Sequence, residues 1–468
     1  MDAVNPVNGL TVEGLVAATG GAPVGDWPAG AAIRRVVTDS RWIKPGDLFV
    51  CLEGPRFDGH TFAAEALEEG ALGVVAHRDV PAGVPHLRVT DTLEALQDLA
   101  LATRRIHDAS LDGRVIGITG TNGKTSTKDL AAAALGAAFP CVASERSFNN
   151  AIGVPLTLLA VDADTEALVV ELGTNRPGEI AAITRLARPE IGVITNIDRG
   201  HLAGLGSLEG VREEKVSLLA GLVGRQVSVL NRDDPSFEWL AERAPGPVIG
   251  FGCDDRADVV ASDVRLSGRD TRFVIDGRVE VTLRLLGRHA VSNALAAIAA
   301  ACAAGVELPA AAAAVEQVLS PPGRLQVREL GDVTVIDDTY NANPGSLAAA
   351  LSVLGELRGA GRLVIVMGDM LELGEAAGAL HADAGKGLAG VAPGLVVAVG
   401  EQSGRVVAGA TDAGLAAGAA HACAAWEQAL DVLEQQLRPH DVVLVKGSRG
   451  VVLDRLVSRL VELAPQVA

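Results

Sequence analysis

The stretch "VIGITGTNGKTSTKDL", residues 115–130, passes from an apolar run into glycines and then into Gly123-Lys124-Thr125. A strand that breaks into a glycine turn and resumes as a helix aims backbone N–H groups and a helix N-terminus at an anion. Lys124 would place a point charge on β- and γ-phosphate oxygens, and the Thr125 hydroxyl suits a Mg²⁺ ligand. The common phosphate loop has four residues between its first glycine and the Gly-Lys pair. Counting back from Gly123 puts Ile118 there, so the loop is the shorter Gly120-Thr121-Asn122-Gly123-Lys124-Thr125-Ser126. The pattern predicts a nucleotide site outside the standard phosphate-loop class.

Such a site needs hard ligands at neighbouring strand ends. "ALVVELGTN" ends on Glu171, and "GVITNIDRGHL" offers His201 one strand later. Taken singly, Glu171 could cap a helix and His201 could be a satisfied core histidine; their shared position after successive strands favours a metal site. "GSLEGVREEKVSLLAGL" carries Lys215 beside Glu213 and Glu214, a spacing that also fits a solvated charged face. Lysine is scarce, however, with six (Lys44, Lys124, Lys128, Lys215, Lys386, Lys446) among 40 basic residues. A lysine where arginine is the habit points to a compact or modifiable amine. Farther on, "VIDDTYNANPGS" gathers Asp337, Asp338, the only tyrosine (Tyr340) and a turn-forming Asn343-Pro344, and "LVKGSRG" sets Lys446 and Arg449 in a glycine-rich loop fit to clamp an anion.

The elements that would position these residues read as α/β throughout. From Val115 onward, unbroken Val/Ile/Leu runs alternate with helical segments, the signature of strands buried on both faces of a parallel sheet with ligands at its carboxyl ends. The pattern predicts three domains: a mixed α/β unit over 1–110, a central parallel-sheet α/β unit over 111–320 ending near "SPPG", and a third unit over 321–468 that repeats the strand–helix alternation. The Ala tracts at 131–138 and 294–314 read as packed helices.

Composition excludes several classes. A net charge of −18 opposes nonspecific nucleic-acid binding while permitting a small anion in a local positive pocket. Five scattered cysteines without a CxxC pair read as reduced thiols, not as a disulfide frame or zinc site. The first residues, "MDAVNPVNGLTVEGL", lack the basic start and apolar core of a signal peptide, and no apolar run reaches the length of a bilayer span. The expectation is a soluble, cytoplasmic, monomeric protein.

Taken in order, "GITGTNGKTSTKDL", "SFNNAIGVPLTLL", "VVELGTNRPGEI", "TNIDRGHL", "NRDDP", "LGRHAVSNALAAIA", "IDDTYNANPGSL", "MGDMLELGE" and "LVKGSRG" resemble the Mur ligases. The likeness begins at "VVTDSRWIKPGDLFVCLEGPRFDGHTF" and covers nearly the whole chain. "DTYNANP" and "GDMLELGE" resemble the branch that adds a dipeptide; the alternative is a relative adding a single amino acid or glutamate, such as folylpolyglutamate synthetase. The resemblance implies an ATP-dependent ligase of peptidoglycan synthesis, with a UDP-substrate-binding domain over 1–110, a central phosphate-loop-type ATPase domain over 111–320 and a Rossmann-like domain over 321–468. It would join D-alanyl-D-alanine to a UDP-muramoyl-tripeptide through an acyl phosphate, with ATP and two Mg²⁺ ions.

By the same resemblance, Gly120–Ser126, Asn293, Arg324 and Asp338 would hold the nucleotide. Thr125, Glu171, His201 and Lys215 would serve the metal ions, Lys215 as a carbamate formed with CO₂. Lys124, Lys215 and His201 would be catalytic. Thr38, Asp39, Ser40 and Arg41 would hold the UDP part, and Asn149, Asn150, Tyr340, Asn341 and Lys446 the peptide or incoming dipeptide. The chain departs from the family pattern at Gly200, where alanine is common, at Val216-Ser217, where Gly-Glu is common, and at Ala290, where asparagine is common.

Overall fold

The computed structural model describes residues 10–463 except 29, 31, 56 and 358–360. Residues 1–9, part of the stretch read for a signal peptide, lie outside the described residues. Three larger sheets follow one another along the chain. The first has the spatial order Ala22–Val24, His86–Arg88, Gly73–Ala76, Asp47–Val50 and Arg35–Val37, parallel except for its first strand.

The central sheet has nine strands. Its parallel part runs Cys141–Ala143, Ala167–Glu171, Val115–Thr119, Ile191–Ile194, Val227–Asn231 and Val248–Gly252. Val115–Thr119 is buried throughout because neighbours and helices cover both faces. The chain builds outward from it in both directions, so the crevice beyond Thr119 is the topological switch point where α/β sheets bind ligands. Beyond Gly252 the sheet continues into Val259–Ser267, Asp270–Ile275 and Val279–Leu283, an antiparallel meander that the sequence reading did not foresee. Its turns at Gly268 and Gly277, both with positive φ, were the available signal.

The third sheet places Gln326–Leu330 antiparallel beside Val333–Asp338, then Val442–Lys446, Leu363–Gly368, Leu395–Val399 and Ala420–Cys423 in parallel. Register sets Asp338 directly opposite Lys446. The Ala tracts fall in the helices Lys124–Gly136, Arg288–Ala303 and Leu308–Val315, the last two separated at Gly305.

One helix joins the first unit to the second. Thr92–Ile106 starts at Asp91, whose carboxylate accepts from Leu93 N at 2.7 Å and Glu94 N at 3.0 Å. Its inner face, Leu96 and Leu99, shares one apolar cluster with Val115, Val154 and Leu168 of the central unit. The buried Arg104 on the same helix donates to the Ala187 carbonyl at 3.0 Å. Removing that guanidinium would leave a buried carbonyl unpaired, a loss of roughly 1–3 kcal/mol.

Candidate functional site

The loop after Thr119 is held by its neighbour strand's exit. Thr121 N donates to Asn196 O at 3.0 Å, Asn122 N to Asn196 Oδ1 at 2.9 Å, and Thr195 Oγ1 to Asn122 O at 2.6 Å. Glycine is required at both ends of the loop. Gly120 and Gly123 have φ of +149° and +81°, and a Cβ would collide with Thr195 Oγ1 at the first and Asn293 Oδ1 at the second. With the amides of Thr121 and Asn122 already engaged, the donors left for an anion are the first amides of the helix Lys124–Gly136, which have no intrahelical acceptor.

Two lysines converge on one carbonyl. Lys124 Nζ donates to Gly120 O at 2.8 Å and Thr121 O at 3.1 Å, and Lys215 Nζ reaches Gly120 O at 2.9 Å. Burial pushes both ammonium pKa values down, and for Lys215 the proximity of Lys124 adds to it, so its pKa falls well below the ordinary lysine value. The helix Leu208–Ala220 that carries Lys215 is therefore not a solvated charged face at this point. Lys215 is buried, and neighbouring Glu214 is also buried, accepting from Gly178 N at 2.6 Å and Ile180 N at 2.7 Å.

Glu171, buried at its strand end, accepts from Asn149 Nδ2 at 2.8 Å through one oxygen. Its other oxygen, Oε2, is buried with no partner. An orphaned carboxylate oxygen is costly unless something cationic meets it, so the residues present fit a hard divalent cation. Among the described residues no group of three or more acids, histidines or cysteines could hold a metal unaided. The cation would share its shell with phosphate oxygens and water, as Mg²⁺ commonly does.

The third unit reaches into the same site. Arg324 Nη2 donates to Thr125 Oγ1 at 2.9 Å, Tyr340 OH to Ser147 Oγ at 2.6 Å, and Asn343 Nδ2 to Asn122 Oδ1 at 2.7 Å. His201, in the left-handed region with φ 55°, meets Glu372 with its Nδ1 2.7 Å from Oε2. Hydrogen bonding by His201 holds the Glu372 carboxyl below the usual carboxylate range. Together these residues enclose a cavity of about 1160 Å³ whose wall also includes Glu171, Asn293, Asp338 and, from the first unit, Leu93 and Gln97.

Several expectations need correcting. Asn343-Pro344 is a helix start instead of a turn: Pro344–Leu357 is helical, and Asn343 Oδ1 accepts from Ser346 N at 2.8 Å. Lys446 is not a free anion clamp. Its buried Nζ is 2.6 Å from Asp338 Oδ2 and 3.1 Å from Asn341 O, so Asp338 and Lys446 satisfy one another. Alternation along the strand turns Asp337 the other way, where it accepts from Thr339 Oγ1 at 2.7 Å.

Asn149 and Asn150 both line the cavity, but Asn150 Oδ1 also accepts from Ile152 N at 3.1 Å and Gly153 N at 2.9 Å, ahead of the helix Gly153–Leu158. Ser126, Tyr340 and Asn341 line the cavity as well, whereas Gly120 and Lys215 sit behind the loop. Thr38–Arg41 do not line it. They form a separate turn on the first sheet, where Asp39 accepts from Arg41 N at 3.1 Å and Arg41 Nε at 2.8 Å. Sequence reasoning missed Ser147 and Glu372. Both lie within motifs of the family resemblance, Glu372 in "GDMLELGE" and Ser147 at the head of "SFNNAIGVPLTLL", but neither was singled out.

The fold and this cavity define a Mur-type ligase. Family models match in order: "Mur ligase family, catalytic domain" at residues 32–104, "Mur ligase middle domain" at 118–301, and "Mur ligase, glutamate ligase domain" at 323–449. The chain belongs to the Mur ligase family.

Within it, the chain is similar to the UDP-N-acetylmuramoyl-tripeptide–D-alanyl-D-alanine ligase of Escherichia coli (strain K12), 36% identical over 91% of this chain and 93% of that one. It is 38% identical to the ligase of the same name from Mycobacterium tuberculosis (strain H37Rv), over 96% of this chain and 98% of that one. Among solved structures, a crystal structure of MurF from Acinetobacter baumannii superposes with a TM-score of 0.89 at 32% identity, covering 98% of this chain and 100% of that one. MurF ligase from Thermotoga maritima in complex with ADP gives 0.80 at 27% identity, covering 93% and 99%.

Proposed function

We propose that this chain is an ATP-dependent amide ligase that joins D-alanyl-D-alanine to UDP-N-acetylmuramoyl-tripeptide, making the pentapeptide precursor of peptidoglycan. The observation that carries this reading is a cavity bounded by the Thr121–Thr125 cradle and the third unit's "IDDTYNANP" loop. It is reinforced by identity of 36% or more to ligases of that name over at least nine-tenths of the chain. The units 1–110, 111–320 and 321–468 would serve the UDP substrate, ATP and the incoming dipeptide in turn. The chain would act in the cytoplasm as a monomer.

A carboxylate is a poor electrophile at neutral pH. Transfer of the terminal phosphoryl group of ATP to the tripeptide carboxylate gives an acyl phosphate; the dipeptide amine attacks the acyl carbon, and phosphate leaves with the old carboxylate oxygen. The protein's part is positioning and charge neutralisation. Lys124 would turn from the Gly120 and Thr121 carbonyls to the β- and γ-phosphates, beside the amides of Lys124, Thr125 and Ser126, while Asn293, Arg324 and Asp338 hold the rest of the nucleotide. Tyr340, Asn341, Lys446, Asn149 and Asn150 would border the peptide, and Thr38–Arg41 the UDP part.

Thr125, Glu171 and His201 would hold Mg²⁺, which supplies Lewis-acid neutralisation of the transferring phosphoryl group when bound. For His201 this requires release from Glu372. The depressed pKa of Lys215 favours the neutral amine that can add CO₂, and the resulting carbamate would offer two oxygens to a second Mg²⁺. Closure of the central and third units excludes water from the acyl phosphate.

The test is ADP release from UDP-N-acetylmuramoyl-tripeptide with each acceptor in turn. D-alanyl-D-alanine should support turnover, and D- or L-glutamate should not; turnover with glutamate alone would overturn the assignment.

A further inference from the structure

Thr125, Ser147, Tyr340 and Arg324 form a closed circuit in which Ser147 is the one member without a part in the proposed chemistry. Tyr340 OH donates to Ser147 Oγ at 2.6 Å, and Ser147 Oγ lies 3.2 Å from Thr125 Oγ1. Arg324 Nη2 donates to Thr125 Oγ1 at 2.9 Å, and its guanidinium carbon stands 4.1 Å from the centre of the Tyr340 ring. Two members come from the central unit and two from the third.

Hydroxyl arithmetic makes the circuit directional. Thr125 Oγ1 has one proton and two lone pairs, and Arg324 occupies one lone pair. If Ser147 donates to Thr125, the second lone pair is filled and the oxygen cannot meet a cation. If Thr125 donates to Ser147, one lone pair stays open. Ser147 Oγ can accept from Tyr340 and Thr125 together, with its own proton turned aside. A divalent cation on Thr125 is compatible with the second arrangement only.

We propose that Ser147, held in place by Tyr340 across the unit boundary, is a positioning residue that accepts the Thr125 proton and so turns the Thr125 lone pair toward the nucleotide-bound cation. Docking of the third unit and loading of the cation are thereby coupled through one side chain. This inference rests on the reading of Gly120–Thr125 as a Mg²⁺–nucleotide site.

The experiment is calorimetric titration of ADP into the full chain at stepped Mg²⁺ concentrations. Ser147→Ala should need about five- to tenfold more Mg²⁺ to reach half of the metal-dependent tightening, the effect of losing one net hydrogen bond. Its affinity for ADP without Mg²⁺ should equal wild type, and Ser147→Thr should restore the wild-type midpoint. Tyr340→Phe, which keeps the ring beside Arg324, should shift the midpoint the same way. The double variant should shift no further than the larger single change, because both act on one relay.

An unchanged Mg²⁺ midpoint in Ser147→Ala, or additive shifts in the double variant, would overturn the relay while leaving the nucleotide site standing. Wild-type protein that binds no ADP at any Mg²⁺ concentration would overturn both.

Discussion

Lys215 behind the central loop and Lys446 at a strand end of the third sheet are both almost fully buried, at 1% and 2% exposure, yet their surroundings differ. Lys446 rests on a carboxylate, Asp338, at 2.6 Å. Lys215 rests on a backbone carbonyl that it shares with Lys124. Burial disfavours a charge in either place, but Lys446 has a carboxylate in direct contact, whereas Glu214 near Lys215 only partly offsets burial and the neighbouring Lys124. The ammonium form is thus disfavoured at Lys215, while Lys446 is held in a direct ion pair. The comparison sets a lysine with the depressed pKa that the proposed carbamate needs against one tied into an ion pair at the cavity wall.

The largest effect that would break this contrast is on turnover. Lys215→Arg cannot form a carbamate, so it should lose activity by a factor on the order of 10²–10³, comparable to loss of a key electrostatic group. Near-wild-type kcat in a folded Lys215→Arg protein would remove Lys215 from the chemistry. The counterpart, Lys446→Met, removes the partner of the partly buried Asp338, which keeps the Leu325 amide, and should cost about 1–3 kcal/mol in denaturant unfolding. Replacing both Lys446 and Asp338 by apolar residues should recover much of that loss. A single substitution without effect on unfolding would show that the pair is not structural.

A pH series sharpens the same point. The folded pKa of Lys215 is lowered, so the unfolded chain binds more protons between that value and about 10.4. The contribution of Lys215 to stability should therefore rise with pH through that window, and Lys215→Met should lower the slope of stability against pH by up to about 1.4 kcal/mol per pH unit. Equal slopes in the two proteins would mean that Lys215 keeps its proton. The smallest expected effect is at the partly exposed His201–Glu372 contact. Glu372→Gln should change global stability by less than about 1 kcal/mol, while increasing protease cleavage of the 369–374 segment; unchanged cleavage would show that this contact does not hold the two units together.

How much of this was legible beforehand depends on the type of signal. The phosphate loop, the strand ends at Glu171 and Asp338, and the three-sheet organisation follow from apolar runs, glycine placement and a resemblance spread over the chain. The antiparallel meander at 259–283 was overlooked because half-exposed strands leave a weaker apolar pattern than strands buried on both faces. Whether Glu214 faces solvent or caps the helix at Gly178 depends on which helix packs beside it, which residue order alone does not record. Ser147 opens the motif "SFNNAIGVPLTLL", but its contacts were not legible, since its two partners lie 22 and 193 residues away and only the assembled units bring them together. Asn343-Pro344 reads equally as a turn or as a helix start until Ser346 is seen to close the cap.

The central claim is that the cradle at Lys124 delivers a phosphoryl group to the tripeptide's carboxylate. It is tested most directly by labelling that carboxylate with ¹⁸O and following the label during turnover with ATP, Mg²⁺ and D-alanyl-D-alanine. Transfer through an acyl phosphate predicts one labelled oxygen in each phosphate released, alongside the pentapeptide nucleotide. Pentapeptide formed with unlabelled phosphate would contradict it.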